Sequence, residues 1–199
     1  MNQLYEAALS VQRFCESRSW QFCIIGGVAV QRWGEIRFTR DVDLSLFTGF
    51  GDEEHYVNEW LKDFQLRPPG TVEMALRSRV LLLIDVRGVP VDVALGAFPF
   101  EQRAVRRSSL WALPEDAALR TRSAEDLIVH KCFANRERDW PDVEAILTRQ
   151  GPRLDLDLVF TELRPLAELK EAPEIPDRLE RLISRRDRPF TRIPPPPGP

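Results

Sequence analysis

Cys23-Ile-Ile-Gly26-Gly27-Val-Ala-Val-Gln-Arg-Trp33, followed by Thr39-Arg40-Asp41-Val-Asp43-Leu-Ser45, decides how this chain folds. Phe22 to Ile25 is a short apolar run that suits a buried strand. Gly26-Gly27 breaks it, and Val28 to Trp33 reads as a short helix. Asp41 and Asp43 then flank Val42. Residues two apart in a strand share a face, so the two carboxylates project side by side while Val42 and Leu44 enter a core. Like charges that close repel, and one keeps its proton unless a cation lies between them. A divalent metal such as Mg²⁺, which prefers oxygen ligands, resolves the repulsion. Paired glycines let the backbone turn tightly and present amides, which at a helix N-terminus favour phosphate. A plain strand-to-helix turn would use the same two residues.

A third carboxylate appears further on. Val80 to Val86 is strongly apolar and predicts a buried strand, Arg87-Gly88 is a hairpin signal, and Val89 to Leu95 returns. Pro90 fits an edge strand or the first residue of a strand. Asp92 lies between Val91 and Val93 and faces away from them. A lone acid in an apolar strand is costly unless paired or bound to a metal. Asp85 reads instead as a solvated residue beside the hairpin.

The remaining segments read mostly as packing elements. Leu4, Ala7, Ala8, Val11, Phe14 and Cys15 give residues 2–18 a helical stripe. Residues 52–65 carry another through Tyr56, Val57, Trp60, Leu61 and Phe64, with His55 on the surface. Phe98 to Arg107 is a short helix. Its basic cluster, Arg103, Arg106 and Arg107, reads as a solvated face, with a site for RNA or triphosphate as the alternative. Ser123 caps a clear helix that runs to Ala134. Lys131 shares its apolar face with Leu127 and Ala134, and either snorkels to the surface or reaches a triphosphate. Pro141 opens a further helix, with Asp139 as its cap. Helical patterns continue from Leu154. Arg185-Arg186-Asp187-Arg188 is a charge run, and the proline-rich stretch that follows predicts a mobile tail.

The chain has 199 residues, 43% of them hydrophobic, enough for a sizeable core. A net charge of −3 argues against a generally basic nucleic-acid binder and leaves room for a local basic patch. Cys15, Cys23 and Cys132 lie far apart inside apolar patterns, which is neither a disulfide framework nor a zinc spacing. With no long apolar run, the expectation is a cytoplasmic protein without a membrane partner.

Gly26-Gly27, thirteen residues, Asp41-Val-Asp43 and a later Asp92 fall in an order that resembles the nucleotidyltransferase superfamily of DNA polymerase β type, over residues 20–95. The resemblance implies that Asp41 and Asp43 bind the metals, Mg²⁺ or Mn²⁺. It makes Asp92 the third ligand and the candidate to activate an attacking hydroxyl. Gly26 and Gly27 would hold the phosphates of an NTP, with Thr39 and Arg40 orienting the metal site or touching a phosphate. Arg40 suits a surface charge equally well. Many members have serine where this chain has Gly27, which leaves only a backbone amide there. The run Ala124-Glu-Asp126 to Lys131, Arg136, Arg138, Asp139 and Asp142 resembles, more loosely, abortive-infection nucleotidyltransferases, some of them toxins of toxin–antitoxin pairs. There Lys131 would contact a phosphate, and Asp142 or Asp139 would support it.

The expected fold is therefore α/β (α+β): a small mixed or antiparallel sheet flanked by helices, with a C-terminal helical region. Residues 1–120 would form the catalytic core, 121–188 a helical region completing the site, and 189–199 the tail. The implied activity moves an NMP from an NTP to a hydroxyl of RNA, tRNA or protein, with an antitoxin as a possible partner. The alternatives are a catalytically silent nucleotide-binding module and a small-molecule (antibiotic) nucleotidyltransferase.

Overall fold

The computed structural model describes residues 2–186, so the expected tail at 189–199 and the end of the charge run lie outside the described residues. Seven strands form one mixed sheet: β1 (Phe22–Ile24), β2 (Val42–Phe47), β3 (Gln65–Leu66), β4 (Val80–Ile84), β5 (Pro90–Gly96), β6 (Ser109–Ala112) and β7 (Ala118–Thr121). Their spatial order is β3-β4-β5-β2-β1-β7-β6. The β2–β5 and β1–β7 pairs are parallel and the rest antiparallel. This is the mixed sheet flanked by helices that the sequence predicts.

One face of the sheet and its helices build the first core. Val42, Leu44 and Leu46 from β2 and Val91, Val93 and Leu95 from β5 alternate inward as period-two positions must. Helix α1 (Gln3–Ser17) covers them with its apolar stripe, starting at an Asn2 cap that accepts from the Tyr5 amide. Helix α3 (Glu53–Trp60) is shorter than the periodicity suggests. Phe64 leaves the helix but keeps its burial, standing edge-on to Phe14, whose ring stacks on Trp60 with centroids 4.2 Å apart. Helix α4 (Val72–Ser78), which the sequence reading passes over, precedes β4.

The opposite face meets the helices that make a second core: α2 (Gly26–Trp33), α5 (Pro99–Arg106), α6 (Ala124–Ala134), α7 (Trp140–Gln150), α8 (Leu156–Leu169) and α9 (Glu174–Arg186). Two polar features differ from expectation. Arg103 and Arg106 are exposed, as a solvated face predicts, but Arg103 and Arg107 are not free cations. Arg103 forks onto Glu162 of α8 at 2.9 and 2.6 Å, and Arg107 forks onto the fully buried Asp126 of α6 and also reaches Glu162. They tie α5 to the helical layer with bidentate, charge-assisted bonds. Asp85 is likewise not solvated: only 4% exposed, it accepts from the Arg87 and Val89 amides and so closes the hairpin.

Candidate active site

The parallel pairing of β2 and β5 sets Asp43 directly beside Asp92. Their neighbours Val42, Leu44, Val91 and Val93 point into the first core, so both carboxylates emerge on the other face, toward the helices. Asp41 stands just before β2. One oxygen from each of Asp41, Asp43 and Asp92 lies within 4.8 Å of the others. All three side chains are half-buried. Burial, then the charges of Asp41 and Asp92, push the Asp43 carboxyl up to about 6, against the opposing pull of the Gly27 amide and Lys131. Three carboxylates that strain one another's ionisation form a donor set suited to a hard divalent cation, with oxygen ligands and room for water.

The glycines serve this acid cluster. They are the first residues of α2 rather than a turn before it, and Ile25 takes the cap position. Gly26 has φ +57°, and a Cβ there would sit 1.7 Å from Asp43 Oδ2. Only glycine allows both the conformation and the approach. The Gly27 amide bonds to Asp43. A Cβ at Gly27 would fall 2.4 Å from Thr39 Oγ1, and that hydroxyl donates to Asp41 at 3.0 Å. Thr39 thus fills the space that a larger residue at 27 would claim, and supplies a hydroxyl where Gly27 has none.

A pocket of about 410 Å³ opens over the acids, within the usual size of small-molecule sites. Its far wall is basic. Lys131, 6% exposed, neither snorkels nor stands free: its Nζ donates to Asp139 at 3.2 Å and to Asp142 at 2.7 Å. Both candidate aspartates therefore support it. Asp142 also takes a bidentate bond from Arg37 at 2.9 and 3.1 Å, and Asp139 one from Arg136 at 2.6 and 3.2 Å. Asp139 holds the cap position of α7, but its side chain makes no capping bond because these cations use it. Burial alone would raise the Asp139 carboxyl; Arg136 and Lys131 outweigh it and hold the group below the ordinary carboxylate range. Arg138 also lines the pocket, exposed. His130 lines it too, and burial, then the nearby Arg122 and Lys131, lower it to about 3, so it is neutral at physiological pH.

Of the residues singled out in the sequence, Gly26, Gly27, Thr39, Asp41, Asp43, Asp92, Lys131 and Asp142 all line this pocket. Arg40 does not; it is exposed and lies over the Phe38 ring at 5.1 Å. Arg136 and Arg138, part of the run around Lys131, line it as well, and Arg37, Arg67 and His130 are additions to the site. Arg67, in the loop after β3, donates to Asp92 Oδ1 at 2.5 Å and so fixes one oxygen of the third acid. Nothing in local sequence marks Arg37 or Arg67, because their partners lie 105 and 25 residues away.

No protein-family model and no curated protein matches the chain. Solved structures do. An antigenic nucleotidyltransferase-like protein from Paracoccidioides brasiliensis superposes with a TM-score of 0.51 at 17% identity, over 89% of this chain and 92% of that one. The antibiotic-resistance factor ANT(2'')-Ia superposes with a TM-score of 0.53 at 13% identity, over 89% of this chain and 99% of that one. At these identities the likeness concerns architecture, and with it the chain has the nucleotidyltransferase fold.

Proposed function

We propose that the protein is a metal-dependent nucleotidyltransferase that moves a nucleoside monophosphate from an NTP to an acceptor hydroxyl. The observation that carries this reading is the convergence of Asp41, Asp43 and Asp92, with oxygens within 4.8 Å, opposite a wall of ordered cations. Asp41, Asp43 and Asp92 would hold Mg²⁺ or Mn²⁺, which when bound supplies charge stabilisation for the attacking and leaving oxygens. The chain's own groups do the rest. Lys131, fixed by two aspartates, and Arg138 face the triphosphate. The Gly27 amide and Thr39 hydroxyl hold Asp43 and Asp41 in register. Asp92, with one oxygen engaged by Arg67, offers the other to the acceptor hydroxyl as its proton leaves. The new bond joins the acceptor's oxygen to the α-phosphorus, the bond from that phosphorus to the pyrophosphate oxygen breaks, and the acceptor's proton passes to Asp92.

For the acceptor, an RNA end is the reading we favour. Phe38 is 78% exposed beside the pocket, with Arg40 against its ring, a face on which a base can stack. A cleft that meets the site at Pro141 carries Arg181 and Arg185, cations for a phosphate backbone, beside Arg178, which Glu137 already pairs at 2.7 and 3.0 Å. A toxin role with an antitoxin partner is one form of this reading, with tRNA as the acceptor. A second reading, a small-molecule acceptor, draws on the likeness to an antibiotic-resistance factor.

Labelled NTPs with Mg²⁺ and separate pools of RNA, protein and aminoglycosides test all of this. The expected result is label on RNA, reduced by about 10³-fold or more in Asp43→Asn. Label on aminoglycosides alone selects the second reading. NTP binding without transfer to any pool selects a catalytically silent module, and no NTP binding in the presence of Mg²⁺ overturns the enzyme reading.

A further inference from the structure

A second, enclosed cavity of about 170 Å³ lies between the sheet and helices α5, α6 and α8, and shares Ile25 and His130 with the active-site pocket. Its walls are almost wholly apolar, with Phe98, Phe100, Phe133, Leu166 and Leu169 on the helical side and Ala94 on the sheet. Set among them is the guanidinium of Arg122, a residue only 1% exposed.

An arginine so placed cannot shed its charge and is costly to bury without a counter-ion. No carboxylate among the described residues pairs with it, and the Phe100 ring, its centroid 5.8 Å from the guanidinium carbon, offers only a π face. One terminal nitrogen donates to Ser45 Oγ at 2.9 Å, the Cys23 thiol lies against the group, and Nε has no partner among the described residues. Asp126, an acid of the same region, is engaged in both oxygens by Arg107. The carboxylate of the cavity wall, Glu101, makes no ion pair with Arg122 and is taken by the Ala97 and Phe98 amides at 2.7 and 2.9 Å. His130 carries no charge of either sign at neutral pH. Ser45 is itself 2% exposed, so bulk water offers little relief.

The backbone makes this placement rigid. The Arg122 amide bonds to Ile24 O at 3.0 Å, and its carbonyl accepts from Trp33 Nε1 at 2.7 Å. At the cavity rim, Phe98 and Leu169 are 45% and 66% exposed, and Phe98 meets the exposed Phe50 edge-on. An apolar entrance thus leads to an apolar chamber with one fixed cation that no carboxylate among the described residues pairs.

We infer that this chamber is a binding site for a small carboxylate with an apolar body of one ring or one branched chain, its carboxylate paired with Arg122. A carboxylate is the counter-ion that a guanidinium binds with a strong charge-assisted hydrogen bond, and a cavity of about 150 Å³ lined by apolar side chains accepts a benzene ring. The site is distinct from the acid cluster: Arg122 approaches it from the end of β7, and Ser45 and Ala94 lie two residues further along β2 and β5 than Asp43 and Asp92. The inference does not depend on nucleotidyl transfer.

Calorimetric titration of the full chain with benzoate, without nucleotide or metal, tests it. Saturable binding at one site per chain is expected. Benzamide, the neutral analogue, and benzylamine, the cationic one, should bind at least tenfold more weakly. Arg122→Met should lose at least tenfold in benzoate affinity, and so should Ala94→Leu, which fills the chamber from the sheet and leaves the guanidinium in place. If Arg122→Met does not fold, Ala94→Leu decides alone. Absence of saturable binding, equal affinity for benzamide, or unimpaired binding in either folded variant overturns the assignment.

Discussion

The two walls of the active-site pocket handle charge in opposite ways. On the strand side, Asp41, Asp43 and Asp92 crowd together, and among the described residues only Arg67 offsets them by direct ion pairing, at one oxygen. On the helical side, Lys131, Arg37 and Arg136 are each already matched to Asp139 or Asp142. The acid wall is built to be completed from outside; the basic wall is completed in advance. The difference separates two demands. Metal ligands must be short of cations to bind one. Cations that meet a phosphate need fixed positions, and partner carboxylates hold them at lower cost than isolated burial would.

The largest way to break that contrast is to remove the hub of the basic wall. Asp142→Ala strips a partner from both Lys131 and Arg37 and leaves the buried lysine short of a counter-charge. It should destabilise the fold by about 3 kcal/mol, read as a lower urea midpoint. The acid wall should respond with the opposite sign. The folded Asp43 binds its proton more tightly than the unfolded chain, at about 6 against 3.8. Stability therefore falls as pH rises from 4 through 6 and levels above that. Asp43→Asn should make the metal-free chain about 2–3 kcal/mol more stable than wild type at pH 8 and leave it nearly unchanged at pH 4, seen in paired urea titrations. Added Mg²⁺ should raise the wild-type midpoint at pH 8 and leave that of the variant unmoved.

Smaller changes sharpen the boundary of the site. Thr39→Val removes the hydroxyl bonded to Asp41 and should lower transfer by roughly tenfold, about 1.4 kcal/mol, measured as label incorporation at saturating NTP. Arg40→Ala, outside the pocket, should alter NTP affinity by less than about twofold, since an exposed side chain without an ion pair contributes little. Its effect, if any, should appear in RNA affinity instead.

The acid wall was the legible one. A spacing of two in a strand fixes a shared face, and an acid between valines is conspicuous, so Asp41, Asp43 and Asp92 stand out from local pattern alone. Their meeting was not local, because the parallel β2–β5 register that aligns Asp43 with Asp92 is a matter of topology. On the basic wall the lysine on an apolar stripe was a signal, and the two aspartates near α7 were a second. That both serve it, with Arg37 completing the set, depends on how α6, α7 and the loop before β2 pack. The same reason explains Arg103 and Arg107. Their run reads as surface charge, but Glu162 waits 59 and 55 residues away. Asp85 departs from its local pattern for a nearer reason: a carboxylate beside a glycine turn can bond the turn's own amides and become buried.

The close approach of Gly27 and Thr39 bears on how such a chain can change. A side chain at position 27 and the threonine at position 39 compete for one small volume, with 2.4 Å between a Cβ and the hydroxyl. With threonine at 39, position 27 cannot gain a side chain without displacing it, whereas position 39 can shrink while Gly27 stays. A lineage that carries serine at the first place must leave the second small, and one that carries threonine at the second must keep glycine at the first. The order of change is therefore fixed: position 39 must lose bulk before position 27 gains a side chain, and threonine at 39 with serine at 27 is the combination that the space refuses.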